Sequence, residues 1–243
     1  MITHTKAIIL KSVDYQESSK IITVLSQEHG KIALIARGAK RPKGKFSGII
    51  EIGNVLDVVY YYKPTRGVQS LSEATTSYSS LNFRMDLERA SILYATLELA
   101  GQLVHENENN EAIFDFVHKF IPWLGEFNPV VASIFCYVQI RCAELSGFNL
   151  TIEQDDTSGT LFFDVAHGLI SDAYNSELSY KLSVVQAMFL KEALTSRSQK
   201  VFQIGLSGGE LKQLIHHLDV YFTYHIEGYK ERRSDTIFEQ MLK

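Results

Sequence analysis

The hydrophobic period of this chain changes once, near Leu81, and that change limits the fold more than any other feature. Before it, apolar residues recur at every second position in short runs; after it, they recur at every third and fourth. A period of two puts alternate side chains on opposite faces of a strand, and a period near 3.6 gathers them into one stripe of a helix. Strands followed by helices predict an α+β chain of more than one domain, and 243 residues are enough for two separate cores.

The first part reads as five short strands at residues 7–13, 20–25, 31–37, 54–62 and 68–73, with polar turns at 15–18 and 63–67. In the third strand Ile32, Leu34 and Ala36 alternate with Ala33, Ile35 and Arg37. Between the third and fourth lie a basic run and a segment, 46–52, read as one helical turn. Five strands with a longer insertion after the third match a Greek-key barrel of the OB type, and an SH3-like barrel has the same appearance in sequence.

Beyond residue 81, Ala90, Leu93, Leu97, Ala100 and Val104 form a helical stripe. Asn109 is placed to cap a second helix with Ile113, Phe116, Val117 and Phe120 inside and Pro122 near its end. Pro129 is suited to the first turn of a third helix that runs towards Gly147. Residues 184–194 and 211–226 read as further helices, and Ser207 with Glu210 has the spacing of a capping box. Residues 148–173 are rich in turn formers, with a β-like patch at 160–165, and read as an inserted ribbon. The expected plan is an OB-fold barrel over 1–80 and an all-α domain over 81–243 that carries a ribbon at about 148–175.

Charge divides along the same line. Residues 1–80 hold eleven Lys and Arg against six Asp and Glu, a balance of +5. The remainder holds thirteen against twenty-two, a balance of -9, so the net charge of -4 conceals a basic first third. Its focus is residues 37–45, RGAKRPKGK, where Arg37, Lys40, Arg41, Lys43 and Lys45 stand without an acid and Gly38, Pro42 and Gly44 break regular structure. Such a loop can drape along a line of phosphates, or it can be a solvated turn. With Lys11 and Lys20, these cations are the candidate DNA contacts, because cations neutralise phosphates and release counterions. Tyr15, Phe46 and Tyr61 are candidate platforms for bases.

Other function classes find little support. No apolar run approaches the ~20 residues of a membrane span, and the first residues lack the apolar core and cleavage site of a signal peptide, so a cytoplasmic protein is expected. Cys136 and Cys142, six positions apart on a helix, point to different faces and do not suggest a disulfide. His216-His217 and His225 invite a metal reading, but His217 and His225 lie two turns apart, not at the i, i+4 spacing of a helical metal site, and the three read as surface or core histidines. Gly205, Gly208 and Gly209 do not make a phosphate-binding loop, and Asp155-Asp156 read as a loop, so no enzyme is expected.

Three stretches resemble the RecO family of bacterial recombination mediator and DNA repair proteins. The first holds Asp14-Tyr15-Gln16-Glu17-Ser18-Ser19-Lys20, Glu28-His29-Gly30-Lys31 and, most specifically, Ala36-Arg37-Gly38-Ala39-Lys40-Arg41. The second is the run from Gln139 through Arg141 and Gly147 to Phe148; the third is Tyr221-Phe222-Thr223-Tyr224-His225-Ile226 with Lys230, Arg232 and Arg233 beyond it. The resemblance implies an N-terminal OB-fold and a helical C-terminal domain. It also implies single- and double-stranded DNA binding, annealing of complementary strands, binding to the acidic tail of the single-stranded-DNA-binding protein, and cooperation with RecR in loading RecA. An acidic tail with an apolar end needs a greasy groove rimmed by cations. Arg141 is the candidate, with Lys191 and Arg197 behind it, although Arg141 can equally pair with Glu144 three residues on.

The chain departs from the family at the ribbon, where many members hold zinc with four cysteines. Asp155 and Ser158 stand at the first pair and the neighbourhood of Ser171 and Tyr174 at the second, a donor set unlike the thiolates of structural zinc sites. No metal or other cofactor is therefore expected, and Phe162 and Phe163 are the candidates to hold the ribbon together. The competing reading of the whole chain is a scaffold whose basic barrel loop meets an acidic protein.

Overall fold

The computed structural model describes residues 1–153, 159–230, 232 and 234. Asp155, Asp156, Ser158 and Arg233, named above, lie outside the described residues. By packing, the chain divides into two units, Met1–Asn128 and Pro129–Lys243.

In the first unit, β1 (Ile2–Tyr15), β2 (Ser19–Ser26), β3 (Gly30–Ala36), β4 (Val55–Tyr61) and β5 (Val68–Tyr78) close into a barrel in the order β1-β2-β3-β5-β4. β3 and β5 run parallel, with Ala33 opposite Val68 and Ile35 opposite Ser70; the other neighbouring pairs are antiparallel. This closure is that of an OB-type barrel and resolves the choice between barrels that strand count left open. β1 and β5 are longer than their apolar alternation shows. The first half of β1 pairs with β4 and the second with β2, across a register shift between Ile9 and Lys11. The end of β5, Ala74 to Tyr78, pairs through small and polar residues that carry no apolar period.

Ile9, Ile22, Val24, Leu34, Leu56, Val58 and Tyr60 fill the barrel. Two helices, α1 (Leu87–Leu103) and α2 (Glu111–Glu126), belong to the same unit, so strands give way to helices near residue 81 while the packed body extends to Asn128. Each helix start is capped by a side chain: Asp86 accepts from the Arg89 amide at 3.0 Å and Asn110, one residue beyond the position expected, accepts from the Ile113 amide at 3.0 Å. The Arg89 guanidinium donates to the carbonyls of Leu124, Gly125 and Phe127, which closes the free end of α2. Lys31 Nζ does the same for α1 through the Gly101 carbonyl at 2.6 Å, and burial lowers its pKa.

Gly30 is required where β3 begins. Its φ is +61°, and a Cβ there would sit 1.8 Å from the Glu108 carbonyl oxygen of the segment that leads into α2. Next to it, the Asn107 amide donates to the Lys31 carbonyl at 3.0 Å.

The second unit holds α3 (Ser133–Leu145), a four-stranded sheet, α4 (Val184–Thr195) and α5 (Gly208–His225). α3 starts four residues after Pro129, so the proline does not occupy its first turn; the entry is made by turns in which the Ile134 and Phe135 amides donate to the Val131 and Ala132 carbonyls at 3.0 Å. The expected Ser207–Glu210 capping box is present, and Ser183 with Gln186 forms a second at the start of α4. Ser183 Oγ also donates to Glu210 Oε1 at 2.6 Å, which ties the two helix starts together.

The inserted ribbon is a sheet in the order β6-β8-β7-β9, from β6 (Thr151–Ile152), β7 (Leu161–Asp164), β8 (Leu169–Ser171) and β9 (Ser179–Leu182). It runs past residue 175, since β9 is too short for its alternation to register as a pattern. Phe163 and Ile170 are fully buried, and Phe163 packs on Tyr221 of α5, whose hydroxyl donates to the Phe148 carbonyl at 3.1 Å. Phe162 sits instead beside the exposed Tyr174.

Cys136 and Cys142 are buried free thiols, and burial pushes both pKa values up, that of Cys142 to about 12. His217 stacks on Tyr180, and His225 Nε2 donates to the Val165 carbonyl at 3.0 Å. Among the described residues no cluster of three or more His, Cys, Asp and Glu side chains is placed to hold a metal, and no helix is long and apolar enough to cross a membrane.

Candidate nucleic-acid interface

The basic run leaves β3 as a chain of tight turns rather than as a loose drape. Arg41 donates its amide to the Gly38 carbonyl, Gly44 to that of Arg41 and Ser47 to that of Gly44, all at 2.9–3.0 Å. Ala39, Phe46 and Ile50 are buried in the barrel core and pin the loop at three points. Phe46 is therefore no platform for a base: the apolar ring is used to plug the barrel. Arg37, Lys40, Arg41, Lys43 and Lys45, set around and between these anchors, are exposed. Lys43, between Pro42 and Gly44, has a φ of +64°, a conformation sparsely populated by non-glycine residues, which fixes the turn at this point of the loop.

Two further elements join the loop. Lys40 donates its amide to the Ser18 carbonyl at 3.0 Å, which staples the loop to the β1–β2 turn. Asp14, at the end of β1, faces both Lys20 Nζ at 3.3 Å and Lys40 Nζ at 2.9 Å. Lys40 and then Lys20 hold its carboxyl below the usual range. Lys45 pairs with Glu73 at 3.6 Å. Arg37, Arg41, Lys43 and the exposed Lys11 of β1 have no acidic partner among the described residues. The seven candidate cations thus separate into three that are paired and four that are not, a division invisible in the sequence.

The outward face of β1, β2 and β3 adjoins this edge. Lys11 lies opposite Thr23, and Val13 opposite Ile21, which lies opposite Ile35. Val13 and Tyr15 are 46% and 40% exposed, unusually open for an apolar stripe, and Tyr61 on β4 is 49% exposed. At the β4–β5 turn stand two cations not among the sequence candidates, Lys63 and Arg66. Buried Gln69 shapes that turn: its Oε1 accepts from the Lys63 amide at 2.9 Å, and its Nε2 donates to the carbonyls of Lys63 and Arg66. The turn is visible in the sequence; its place toward the Gly30 end of β3, away from the basic run, follows only from the parallel pairing of β5.

In the second unit Arg141 lines a cleft of about 210 Å³ with Ile140, Leu150 and Leu194 as apolar walls. Glu144 sits at its rim, pairs with Arg141 and meets Arg197 at 3.4 Å. Arg141 thus makes the local pair with Glu144 that its spacing allowed, and it also borders an apolar cleft. Arg197 reaches the cleft only through Glu144, and Lys191 does not line it.

The profile described as "Recombination protein O N terminal" matches residues 1–79, and that described as "Recombination protein O C terminal" matches residues 84–234. The chain is 28% identical over its whole length to a DNA repair protein RecO of Chloroherpeton thalassium, itself covered in full. It is 27% identical over its whole length to that of Pelodictyon phaeoclathratiforme, of which it covers 99%. It is also 34% identical to that of Salinibacter ruber over 60% of this chain and 56% of the relative. An OB-type barrel followed by helices, with both halves matched in order, makes this chain a member of the RecO family.

Proposed function

We propose that this protein is a non-catalytic, DNA-binding recombination mediator that acts in DNA repair, binding single- and double-stranded DNA and annealing complementary strands. The observation that carries this reading is the anchored basic loop, with Arg37, Arg41 and Lys43 held outward and free of acidic partners among the described residues, beside the open face of the barrel. Cations placed along two strands screen their mutual repulsion, so base pairing proceeds without a nucleotide cofactor. Tyr15 and Tyr61 are the exposed rings available for stacking.

The Arg141 cleft is the proposed seat for the acidic, apolar-ended tail of the single-stranded-DNA-binding protein. Its apolar walls suit the end of the tail, and the Arg141 guanidinium, which an incoming acid would share with Glu144, suits the acids. RecR and, indirectly, RecA complete the proposed set of partners. The ribbon needs no zinc in this reading, because Phe163, Ile170 and Tyr221 supply a packed apolar centre in its place.

The test is fluorescence anisotropy of a labelled single strand across a salt series, comparing the natural chain with an Arg37→Ala/Arg41→Ala/Lys43→Ala variant. Losing three bound phosphates flattens the log–log slope by about 2.1, at ~0.7 per phosphate. An unchanged slope and affinity refute the interface and favour the scaffold reading, in which the loop meets an acidic protein.

A further inference from the structure

We propose that Asp14 is a built-in competitor for phosphate, a carboxylate that keeps Lys20 and Lys40 engaged until a nucleic-acid backbone displaces it. The proposal rests on the DNA-binding reading of the basic edge and adds a control to it. One oxygen of Asp14 faces Lys20 and the other faces Lys40, at 3.3 and 2.9 Å. A phosphodiester, which also offers two anionic oxygens from one centre, can take both ammonium groups in the same way. The side chain of Asp14 is 60% exposed, and those of Lys20 and Lys40 are 30% and 32% exposed, so the exchange can occur at the surface without unfolding.

The fold holds the three groups in register. Asp14 pairs with Lys20 across β1 and β2, and Lys20 pairs in turn with Ala36, from which the basic loop departs. Lys40 is brought back to this spot by its amide bond to Ser18. Arg37, Arg41 and Lys43 have no comparable acid among the described residues. The edge therefore presents permanently available cations next to a reserved pair. Exposed ion pairs are weak, so a phosphate drawn in by the free cations exchanges readily with the carboxylate. A strand is then held less firmly than seven independent cations would hold it, which suits a protein that must release the duplex it has helped to form.

The experiment compares salt series on a labelled single strand for the natural chain, Asp14→Asn, Lys20→Ala/Lys40→Ala, the triple variant Asp14→Asn/Lys20→Ala/Lys40→Ala, and Arg37→Ala/Arg41→Ala/Lys43→Ala. Circular dichroism verifies that each is folded. Asn keeps the shape of Asp14 and removes the charge. A competitor role therefore predicts tighter binding at a nearly unchanged slope, because the same phosphates are neutralised once the carboxylate has been displaced. The gain disappears without the two lysines, so Lys20→Ala/Lys40→Ala and the Asp14→Asn triple variant bind alike. If Asp14→Asn binds no tighter, or its gain survives in the absence of Lys20 and Lys40, while the Arg37/Arg41/Lys43 variant flattens the slope, the competitor role is overturned and the interface stands. If the Arg37/Arg41/Lys43 variant leaves slope and affinity unchanged, both fall.

Discussion

Replacing Gly30 by Ala tests why the segment between α1 and α2 meets the barrel where it does. Two costs are built into the position. A left-handed φ of +61° costs a residue with a Cβ about 1–2 kcal/mol. A Cβ placed 1.8 Å from the Glu108 oxygen must also push that backbone away by more than an ångström. Such a shift breaks the Asn107–Lys31 backbone bond, at about 1 kcal/mol net. The expected loss is roughly 3 kcal/mol, confined to the first unit. Gly48 is the control: its φ is +77°, but a Cβ there meets nothing within 4 Å, so Gly48→Ala carries only the conformational cost. Urea unfolding followed by hydrogen exchange reads the two variants unit by unit, as a chain with two cores need not melt in one step. Equal losses at the two glycines would refute the close-approach argument and leave backbone strain as the whole effect.

Four further outcomes follow from the geometry. Arg232, whose side chain is fully buried, pairs with Asp219 and lies over the Phe135 ring at 4.7 Å; Arg232→Ala leaves a carboxylate unmatched and costs about 3–5 kcal/mol, while adding Asp219→Ala recovers part of the loss. Burial depresses the His217 pKa to about 4. The unfolded imidazole takes a proton below its ordinary 6.5 and the folded one only below about 4, so stability falls as pH drops through that window, by roughly 3 kcal/mol, and His217→Phe flattens the dependence in chemical unfolding. Treatment with EDTA leaves the melting of the second unit unchanged; a lowered midpoint would show a structural metal. Arg141→Ala weakens binding of an acidic peptide with an apolar end at least tenfold by calorimetry, and an unchanged affinity would move that peptide away from the cleft.

The amino-acid sequence by itself determined where the barrel strands and the main helices lie, though not their ends or the short β9, because side-chain alternation and helical stripes are local properties with local causes. The third strand, the capping box at Ser207 and the basic character of residues 37–45 are all legible without a fold. So is membership of the RecO family, through runs such as Ala36 to Arg41. What only the tertiary structure decided depends on residues far apart in the chain. The parallel meeting of β3 and β5 separates one small barrel from another and sets the turn that carries Lys63 and Arg66 toward the Gly30 end of β3, away from the end where the basic run leaves. Phe46 reads as an available ring until the barrel core claims it. Asp14 and Lys40 are twenty-six positions apart, and no charge count shows that one carboxylate engages two of the cations while Arg37, Arg41 and Lys43 stay open. Long-range pairing is set by how strands close and loops return, and no local pattern records that.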